Sequence, residues 1–383
     1  MDRRIPLWFV LCCCLADTQA QKKDLIDGMA HLLHLHIADS NRKKNALIFS
    51  IVPVAPVNLG QKQAAVSAIN IAFYAGTPSV TNLSSIYFIP YTNFTDRSGF
   101  IITPAIWLAH NRWNLGGDLR ITRNSTYTYG VGAGTTTAGK DIVDYRYIRV
   151  YANANHQLWG PFSAGFGYDL DYYHQVQDEH TNGYPGVFSA YGLGTGSQTI
   201  ASGLTFNLLF DRRRNSINPT NGFYSSLTFR INPNNDLKWR SITFDIRKYV
   251  SLSLTRRQLL CFWALYWGCY GDVPYLCLPG TALDAGGRTG RGYLIGRYRG
   301  KQMLYGETEF RFDLSHNGFW GGVLFSNLQS YTQPETGNFA WLLPAAGMGL
   351  RIKFNKRNDM NITLDIAVGK NSFNWYLNLG EFF

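Results

Sequence analysis

The stretch LYGETEFRFDL, at residues 304–314, carries a charged residue at every second position of its second half. Successive side chains of a β-strand point to opposite faces, so the charges share one face and the apolar residues share the other. A strand of about ten residues with this pattern fits a wall between lipid and a wet interior. A water-soluble sandwich would turn its apolar face inward and use shorter strands. The apolar face comprises Leu304, Thr308, Phe310, Phe312 and Leu314, and the polar face comprises Tyr305, Glu307, Glu309, Arg311 and Asp313.

The same alternation recurs along the chain, for example at 223–231, 241–247 and 360–368. Turn-forming pairs such as Asn221-Gly222 separate many of the segments. Counting them predicts about 16 strands, an even number as in bacterial outer-membrane barrels. Three long connections, at 123–144, 173–199 and 271–301, are predicted to lie at the cell surface. The predicted strands are 46–54, 64–75, 84–92, 98–110, 113–122, 145–156, 161–172, 200–210, 222–232, 238–250, 257–270, 302–314, 319–330, 344–354, 360–369 and 373–383.

Composition excludes two broad classes of protein. Only 16% of the 383 residues are charged and 15% are aromatic, which gives the chain ample apolar surface to bury and argues against disorder. Beyond the N-terminus, no apolar run approaches the roughly 20 residues that a membrane-spanning helix needs. A secreted all-β domain and an outer-membrane barrel remain, and the charged strand faces favour the barrel. We therefore predict an all-β protein whose antiparallel strands form a transmembrane β-barrel.

The N-terminus predicts export. Arg3 and Arg4 form a basic region, residues 5–16 are apolar, and the small residue Ala20 precedes the expected cleavage point. A short amphipathic helix is predicted in the segment that follows. The predicted organisation is a signal peptide at 1–20, a periplasmic or interior-facing helical segment at 21–45, and the barrel at 46–383 in a bacterial outer membrane.

The formal net charge of +11 indicates anionic partners. For an exported chain these are outer-membrane lipid and lipopolysaccharide phosphates, so we expect no nucleic-acid partner. The mature chain has three cysteines, an odd number that implies no disulfide framework. A bridge between Cys269 and Cys277 is left open by the sequence.

Nothing in the sequence predicts catalysis, a cofactor or a metal site. The chain contains neither a Gly-x-Ser-x-Gly elbow nor a metalloprotease helix motif. His31, His34 and His36 fall on the predicted N-terminal helix without an acidic or cysteine partner nearby. We therefore expect a non-enzymatic protein without a cofactor or bound metal.

A charged hairpin is predicted at residues 211–222. Asp211 ends a strand, Arg213 faces water, and Pro219 and Gly222 set the turn. The spacing resembles the D-x-R…N-P-x-x-G hairpin of the BamA/TamA-type surface-antigen barrels. That family inserts or translocates proteins at outer membranes.

A second and more specific resemblance to this family lies in DAGGRTGRGY, at residues 284–293. In the family, two glycines precede an Arg-Gly-aromatic triplet on a long loop that folds back into the barrel. No helix follows, so a phosphate-binding glycine loop does not fit. The resemblance implies an inward loop fixed by Gly286, Gly287, Arg291, Gly292 and Tyr293.

The resemblance also implies acceptors for the arginine on the following strands. Glu309, with Glu307 beside it, stands where the family carries an inward Glu before an aromatic residue. On the next strand Asn327 replaces the family's Asp, and Gln329 replaces its Gly. Because a neutral amide is a weaker acceptor than a carboxylate, we expect the loop anchor to be weaker or re-routed.

The two terminal strands of the predicted barrel also resemble the family. The final segment 373–383 alternates through Gly380 and ends on the aromatic Phe383. The first segment carries Pro53, which belongs at a sheet edge or a bulge and would weaken a seam between the first and last strands. That seam is the family's lateral gate. Alternatively, Pro53 simply ends its strand.

Taken together, the resemblance implies a role in outer-membrane protein insertion, assembly or translocation. We expect the short branch of the family, without POTRA repeats or another N-terminal domain. Such a chain would depend on other outer-membrane or periplasmic proteins as partners. Two alternatives remain: a structural subunit of an outer-membrane complex and a passive, plugged pore.

Overall fold

A computed structural model describes residues 47–58, 63–137, 139–179, 186–213, 215–233, 237–253, 257–356 and 358–383. The predicted signal peptide at 1–20 and the helical segment at 21–45, with its three histidines, lie outside the described residues. Within the described ranges, no helix is both long enough and apolar enough to cross a membrane.

The described chain is all-β, with sixteen strands in a single antiparallel sheet. Each strand pairs with its neighbour in sequence, so the order in the sheet is the order in the chain. The predicted all-β class and the predicted number of antiparallel strands are confirmed. The strands are β1 Ile48–Asn58, β2 Gln63–Phe73, β3 Ser84–Thr92, β4 Ser98–Trp107, β5 Trp113–Thr128, β6 Asp141–Trp159, β7 Phe162–Glu179, β8 Gln198–Asp211, β9 Gly222–Asn232, β10 Trp239–Ser251, β11 Gln258–Gly271, β12 Gln302–Asp313, β13 Trp320–Tyr331, β14 Leu343–Asn355, β15 Met360–Gly369 and β16 Ser372–Leu379.

The sheet curls until its two edge strands approach each other. Among the described residues, β1 pairs with β2 alone and β16 with β15 alone. Even so, Cα atoms of β1 and β16 come within 8 Å of one another. The sheet thus encloses an interior, with a seam between its first and last strands.

The pattern of burial is the reverse of that in a soluble protein, because polar side chains are buried and apolar side chains are exposed. On β12, Glu307, Glu309 and Arg311 are at most 3% exposed, whereas Leu304, on the other face of the strand, is 45% exposed. On β15, Asp365 is fully buried while Leu364 is 44% exposed. Because side chains alternate across a strand, one period-two pattern sends charges inward and leucines outward. The interior is therefore the polar side of the sheet.

Three of the central strands are longer than the sequence predicted. Pairing of β5 with β6 continues to Thr128↔Asp141, and pairing of β6 with β7 continues to Ile142↔Glu179. The predicted connections 123–144 and 173–199 therefore shrink to 129–140 and 180–197. Cross-strand partners such as the stacked rings of Tyr147 and Tyr173, 4.3 Å apart, extend the ladder beyond the apolar alternation.

The last strand is shorter than predicted. β16 ends at Leu379, and the predicted strand to residue 383 is wrong. Gly380 adopts a φ of +93°, a left-handed conformation that turns the chain off the sheet. Phe382 and Phe383 are then buried in the interior, at 5% and 3% exposure.

The described cysteines Cys261, Cys269 and Cys277 are all free and buried. The Cys269–Cys277 bridge that the sequence left open is therefore not formed. In β1, the register with β2 shifts between Val52 and Ala55, which places Pro53 inside a bulge. A bulge is where a residue without a backbone donor fits a sheet.

Candidate functional site

Residues 272–301, which connect β11 to β12, form an internal loop. Tyr275, Leu278 and Thr281 in this loop are fully buried. The Asp284 carboxylate accepts hydrogen bonds from the backbone amides of Arg288 and Thr289, at 3.0 and 2.9 Å, and shapes the turn that holds Gly286 and Gly287. Local polar contacts therefore fix the conformation of the loop segment that precedes Arg291.

Arg291 lies at the centre of a buried charge cluster. Its side chain is 1% exposed, and its Nη1 donates to Asp365 Oδ2 at 2.7 Å. Its Nη2 contacts the carboxylates of both Glu307 and Glu309. The guanidinium carbon lies 3.6 Å from the ring centre of Phe325, which stacks the flat cation on an aromatic face. Both glutamates named from the sequence therefore contact the arginine.

The backbone around Arg291 is held by three further contacts. Asn327 Nδ2 donates to the Arg291 carbonyl at 2.9 Å, and the Gly292 amide donates to Tyr376 Oη at 2.8 Å. Tyr293 Oη donates to the Pro344 carbonyl at 2.6 Å. Gly292 has a φ of +103°, and a Cβ there would lie 2.8 Å from the Cβ of Ala345. Each residue of the Arg-Gly-Tyr triplet therefore makes its own hydrogen bond with the strands that surround the loop.

Asn327 holds the loop as a hydrogen-bond donor. Its amide donates to the loop backbone instead of accepting from the guanidinium. The carboxylate that takes this place is Asp365, two strands further along on β15. The Arg291 guanidinium thus pairs with Asp365, while the Asn327 amide holds the loop backbone.

The cluster extends to residues that sequence reasoning did not assign to the site. Arg351 Nη1 contacts Asp365, and its Nε lies 2.8 Å from Glu381 Oε2. Arg311 Nη2 lies 2.5 Å from Glu309 Oε2. Asp365 and Arg311 already stand on polar strand faces in the sequence, and that alternation was the signal available. The pairing of Asp365 with Arg291, and of Arg311 with Glu309 beside it, depends on tertiary placement.

The charges of this cluster balance almost completely. Three arginines (291, 311 and 351) face four carboxylates (307, 309, 365 and 381), and Arg257 lies 3.6 Å from Glu381 as a fourth cation. Burial alone would raise the pKa of the Glu381 carboxyl. The guanidinium groups around it, led by Arg351 and Arg311, outweigh burial and hold that pKa well below its usual range. Glu381 can therefore remain ionised inside the sheet.

The hairpin at 211–222 lies at the end of the sheet where β1 begins and β16 ends. Arg213 pairs with Asp211, with Nη2 2.8 Å from Oδ2, and stacks 4.1 Å over Tyr224. Asn218 Nδ2 donates to the Asp359 carbonyl in the turn between β14 and β15, at 2.8 Å. The hairpin thus reaches across the interior from β8 and β9 to β14 and β15.

The turn residues Pro219 and Gly222 of this hairpin have separate roles in its geometry. Pro219 is buried beside Asn218. Gly222 has a φ of +126°, and a Cβ there would lie 2.9 Å from the Arg212 carbonyl. Arg213, expected to face water, is instead 9% exposed because its partner Asp211 and the Tyr224 ring cover it.

The residues named for the seam do not lie together. Pro53 lies in β1, and Gly380 lies beyond the end of β16. Phe383 is in the interior against Trp263, with ring centres 5.3 Å apart. The seam is packed from within by a cluster that includes Ile48 and Leu379. Phe383 is thus part of the charge cluster's surroundings and not of the seam.

A second buried network lies on the opposite wall. Arg230 Nη1 lies 2.7 Å from Asp171 Oδ2, and Arg149 Nη1 lies 3.0 Å from Asp118 Oδ2. Tyr151 Oη donates to Asp171 at 2.8 Å. Buried ion pairs therefore occur on both walls of the sheet. Only the charge cluster around Arg291 includes that arginine of the internal loop. No group of His, Cys, Asp and Glu residues in the described ranges is arranged to hold a metal.

An antiparallel sixteen-stranded sheet with a charged interior and an apolar outer face defines the fold class of outer-membrane β-barrels. Two solved structures share this fold. BamA from Haemophilus ducreyi, in a form lacking POTRA domains 1–3, superimposes with a TM-score of 0.52 and 12% identity, over 88% of this chain and 69% of that one. CdiB from Acinetobacter baumannii gives 0.50 and 10%, over 88% and 65%.

At these identities the likeness establishes the fold alone. The chain spans roughly two thirds of the length of both structures, at 69% and 65%. No family model matches the sequence. No curated protein matches it either.

Proposed function

We propose that this protein is an outer-membrane barrel that takes part in inserting or translocating other proteins. The observation that carries the proposal is the Arg-Gly-Tyr loop, held inside the sheet and in contact with its last strand. Gly292 bonds to Tyr376 of β16, and Tyr293 accepts a hydrogen bond at 3.0 Å from Lys370, in the turn before β16. A loop fixed in this position can restrain the edge strand next to the seam and can respond to a movement of that strand.

Three further features support the proposal. The fold is that of the BamA and CdiB barrels. The edge strands β1 and β16 approach each other without pairing among the described residues. The apolar outer face, with Leu324 and Leu364 at 50% and 44% exposure, suits a lipid environment. The predicted signal peptide would deliver the chain to the outer membrane, where anionic lipid and protein partners are expected.

In this proposal the internal loop is a lock. Arg291 pins the loop to β12 and β15, while Asn327 and Tyr376 hold its backbone. Rearranging the loop requires the guanidinium to leave its carboxylates, which is costly because they are buried. The lock thus favours a closed resting state, and partner or client binding would supply the energy to change it.

A depletion experiment tests this function. Outer membranes from cells depleted of the protein are compared with wild type by quantitative proteomics, and plasmid copies of wild type, Arg291→Ala and Arg212→Ala are used for complementation. We expect a set of barrel proteins to fall on depletion, to recover with wild type and Arg212→Ala, and to recover poorly with Arg291→Ala.

An unchanged outer-membrane proteome would contradict the proposal. If stable companion proteins also co-purified, the structural-subunit alternative would replace it. A passive pore predicts steady ion conductance in planar bilayers. We expect a silent bilayer, because the buried internal loop and the hairpin at 211–222 occupy the interior.

A further inference from the structure

Residues 380–383, which follow β16, lie inside the sheet and contact several other strands and the internal loop. The Glu381 side chain is fully buried. Its carboxylate receives Arg351 Nε at 2.8 Å and Asn361 Nδ2 at 2.7 Å, with Arg257 at 3.6 Å and Arg311 at 3.7 Å. One carboxylate is thus surrounded by three cations and an amide donor.

The backbone of the segment is recognised as closely as its acidic side chain. Arg288 Nη1, from the internal loop, donates to the carbonyls of Glu381 and Phe382 at 3.0 and 2.7 Å. Arg311 Nη2 donates to the Phe383 carbonyl at 2.9 Å. Side-chain cations that cap successive backbone carbonyls are a mode of recognising a peptide.

Both aromatic rings occupy places formed by other elements. The Phe382 ring centre lies 4.1 Å from the Arg291 guanidinium carbon, which also contacts the Phe325 ring. Phe383 packs 5.3 Å from Trp263 and 6.2 Å from Tyr249, between ring centres. The guanidinium of the loop lock is therefore covered by an aromatic residue of this segment.

One glycine joins the segment to the sheet. Gly380 has a φ of +93°, and a Cβ there would lie 3.1 Å from Tyr87 Oη. Its amide donates to the Asn361 carbonyl at 2.8 Å. The chain therefore leaves β16 at a defined hinge and enters a site built by β10, β11, β12, β14, β15 and the internal loop.

We propose that residues 380–383 are an internal latch: an acidic–aromatic peptide ligand, carried by the chain itself, that fills a peptide-binding site formed by Arg351, Arg311, Arg288 and Trp263. The latch ties β16 to the internal loop, because the same four residues continue from the edge strand and cap Arg288 and Arg291. Control of the seam by the latch rests on the proposed function. The binding site itself does not.

A peptide-binding experiment tests the latch on the full-length chain. The triple variant E381A/F382A/F383A leaves the site empty but retains every wall residue. Binding of a fluorescent Gly-Glu-Phe-Phe peptide to the variant in detergent micelles is measured by anisotropy, with wild type as the matched control. Gly-Gln-Phe-Phe and Gly-Glu-Ala-Ala serve as control peptides.

We expect saturable binding to the triple variant and little binding to wild type, whose own segment fills the site. The Gln peptide should bind about tenfold more weakly or worse, because a neutral amide loses charge-assisted hydrogen bonds. Adding R351A to the triple variant should weaken Gly-Glu-Phe-Phe binding similarly. Equal binding of all three peptides, or equal binding to wild type, would overturn the proposal.

Hydrogen–deuterium exchange on the single variant Glu381→Ala covers the case in which the triple variant does not fold. The latch predicts exchange about tenfold faster at 284–293 and 372–379, with 141–179 on the opposite wall unchanged. Unchanged exchange at 284–293 would refute it. Neither readout needs insertion activity, so a failed depletion experiment would leave the latch standing, and a failed latch would leave the insertion role standing.

Discussion

Replacing Arg291 by alanine tests the lock through its energetics. The substitution removes a guanidinium that contacts Glu307, Glu309 and Asp365. Only one of these carboxylates is left without a cation. Glu309 keeps Arg311, and Asp365 keeps Arg351.

Glu307 keeps only a hydroxyl partner, because its other oxygen accepts from Tyr305. Removing one partner of a buried ion pair costs about 3–5 kcal/mol, since the remaining charge stays buried. The structure predicts one such penalty rather than three. We therefore expect Arg291→Ala to lower the free energy of unfolding by about 3–5 kcal/mol.

A double variant separates the charge from the lost packing. In Arg291→Ala/Glu307→Gln the uncompensated carboxylate is gone, so much of the stability should return. Loss of the stacking on Phe325 and Phe382, worth about 1–2 kcal/mol, should remain. The exposed Arg212→Ala is the matched control, with an expected effect within about 0.5 kcal/mol.

The assay is equilibrium unfolding by urea in lipid vesicles, followed by tryptophan fluorescence. A loss below about 1 kcal/mol for Arg291→Ala would place its effect among ordinary substitutions and refute the lock. Failure of Glu307→Gln to recover any stability in the double variant would show that the buried glutamate is not the source of the cost.

Three further substitutions probe the same region. Gly292→Ala should destabilise the loop, because the left-handed backbone and the 2.8 Å approach to Ala345 leave no room for a Cβ. The heat-induced mobility shift on gels should then occur at a lower temperature than for wild type. Asn327→Asp should cost about 1–3 kcal/mol in urea unfolding, because a carboxylate cannot donate to the Arg291 carbonyl. A gain in stability would contradict a loop held by the Asn327 amide. The pKa of Glu381 is lower in the folded protein than its unfolded value of about 4.3. The ionised Glu381 side chain therefore stabilises the fold fully above that unfolded value, and this stabilisation is lost as pH falls towards the folded pKa. The melting temperatures of wild type and Glu381→Gln should differ most near neutrality and converge as pH falls below about 4.

Strands were predictable because their chemistry has a period of two. The alternation in 304–314 identifies the inward face of β12, and the same rule places Asp365 inward on β15. The internal loop was predictable through its Arg-Gly-Tyr triplet and family resemblance. Its acceptors Glu307 and Glu309 follow from the polar face of one strand.

Other features depend on contacts between distant parts of the chain. Asp365 lies 74 residues from Arg291, and nothing local indicates that the two side chains pair. The alternation of 373–379 is broken at Glu381, which falls on the apolar face, but the terminal aromatic residue favoured a continued strand, so the inward turn at Gly380 was missed. That turn is stabilised by Arg351, Arg311 and Arg288, which only the assembled sheet brings together.

The most direct test of the lock is the accessibility of the loop beside Arg291. Thr289 is 1% exposed, whereas Ala285 in the same loop is exposed. Single cysteines at these two positions are labelled with a polar maleimide in intact lipid vesicles, with and without Arg291→Ala. The lock predicts that Thr289→Cys resists labelling while Ala285→Cys reacts, and that Arg291→Ala makes Thr289→Cys reactive. Rapid labelling of Thr289→Cys with Arg291 in place would contradict a loop held inside the barrel by that guanidinium.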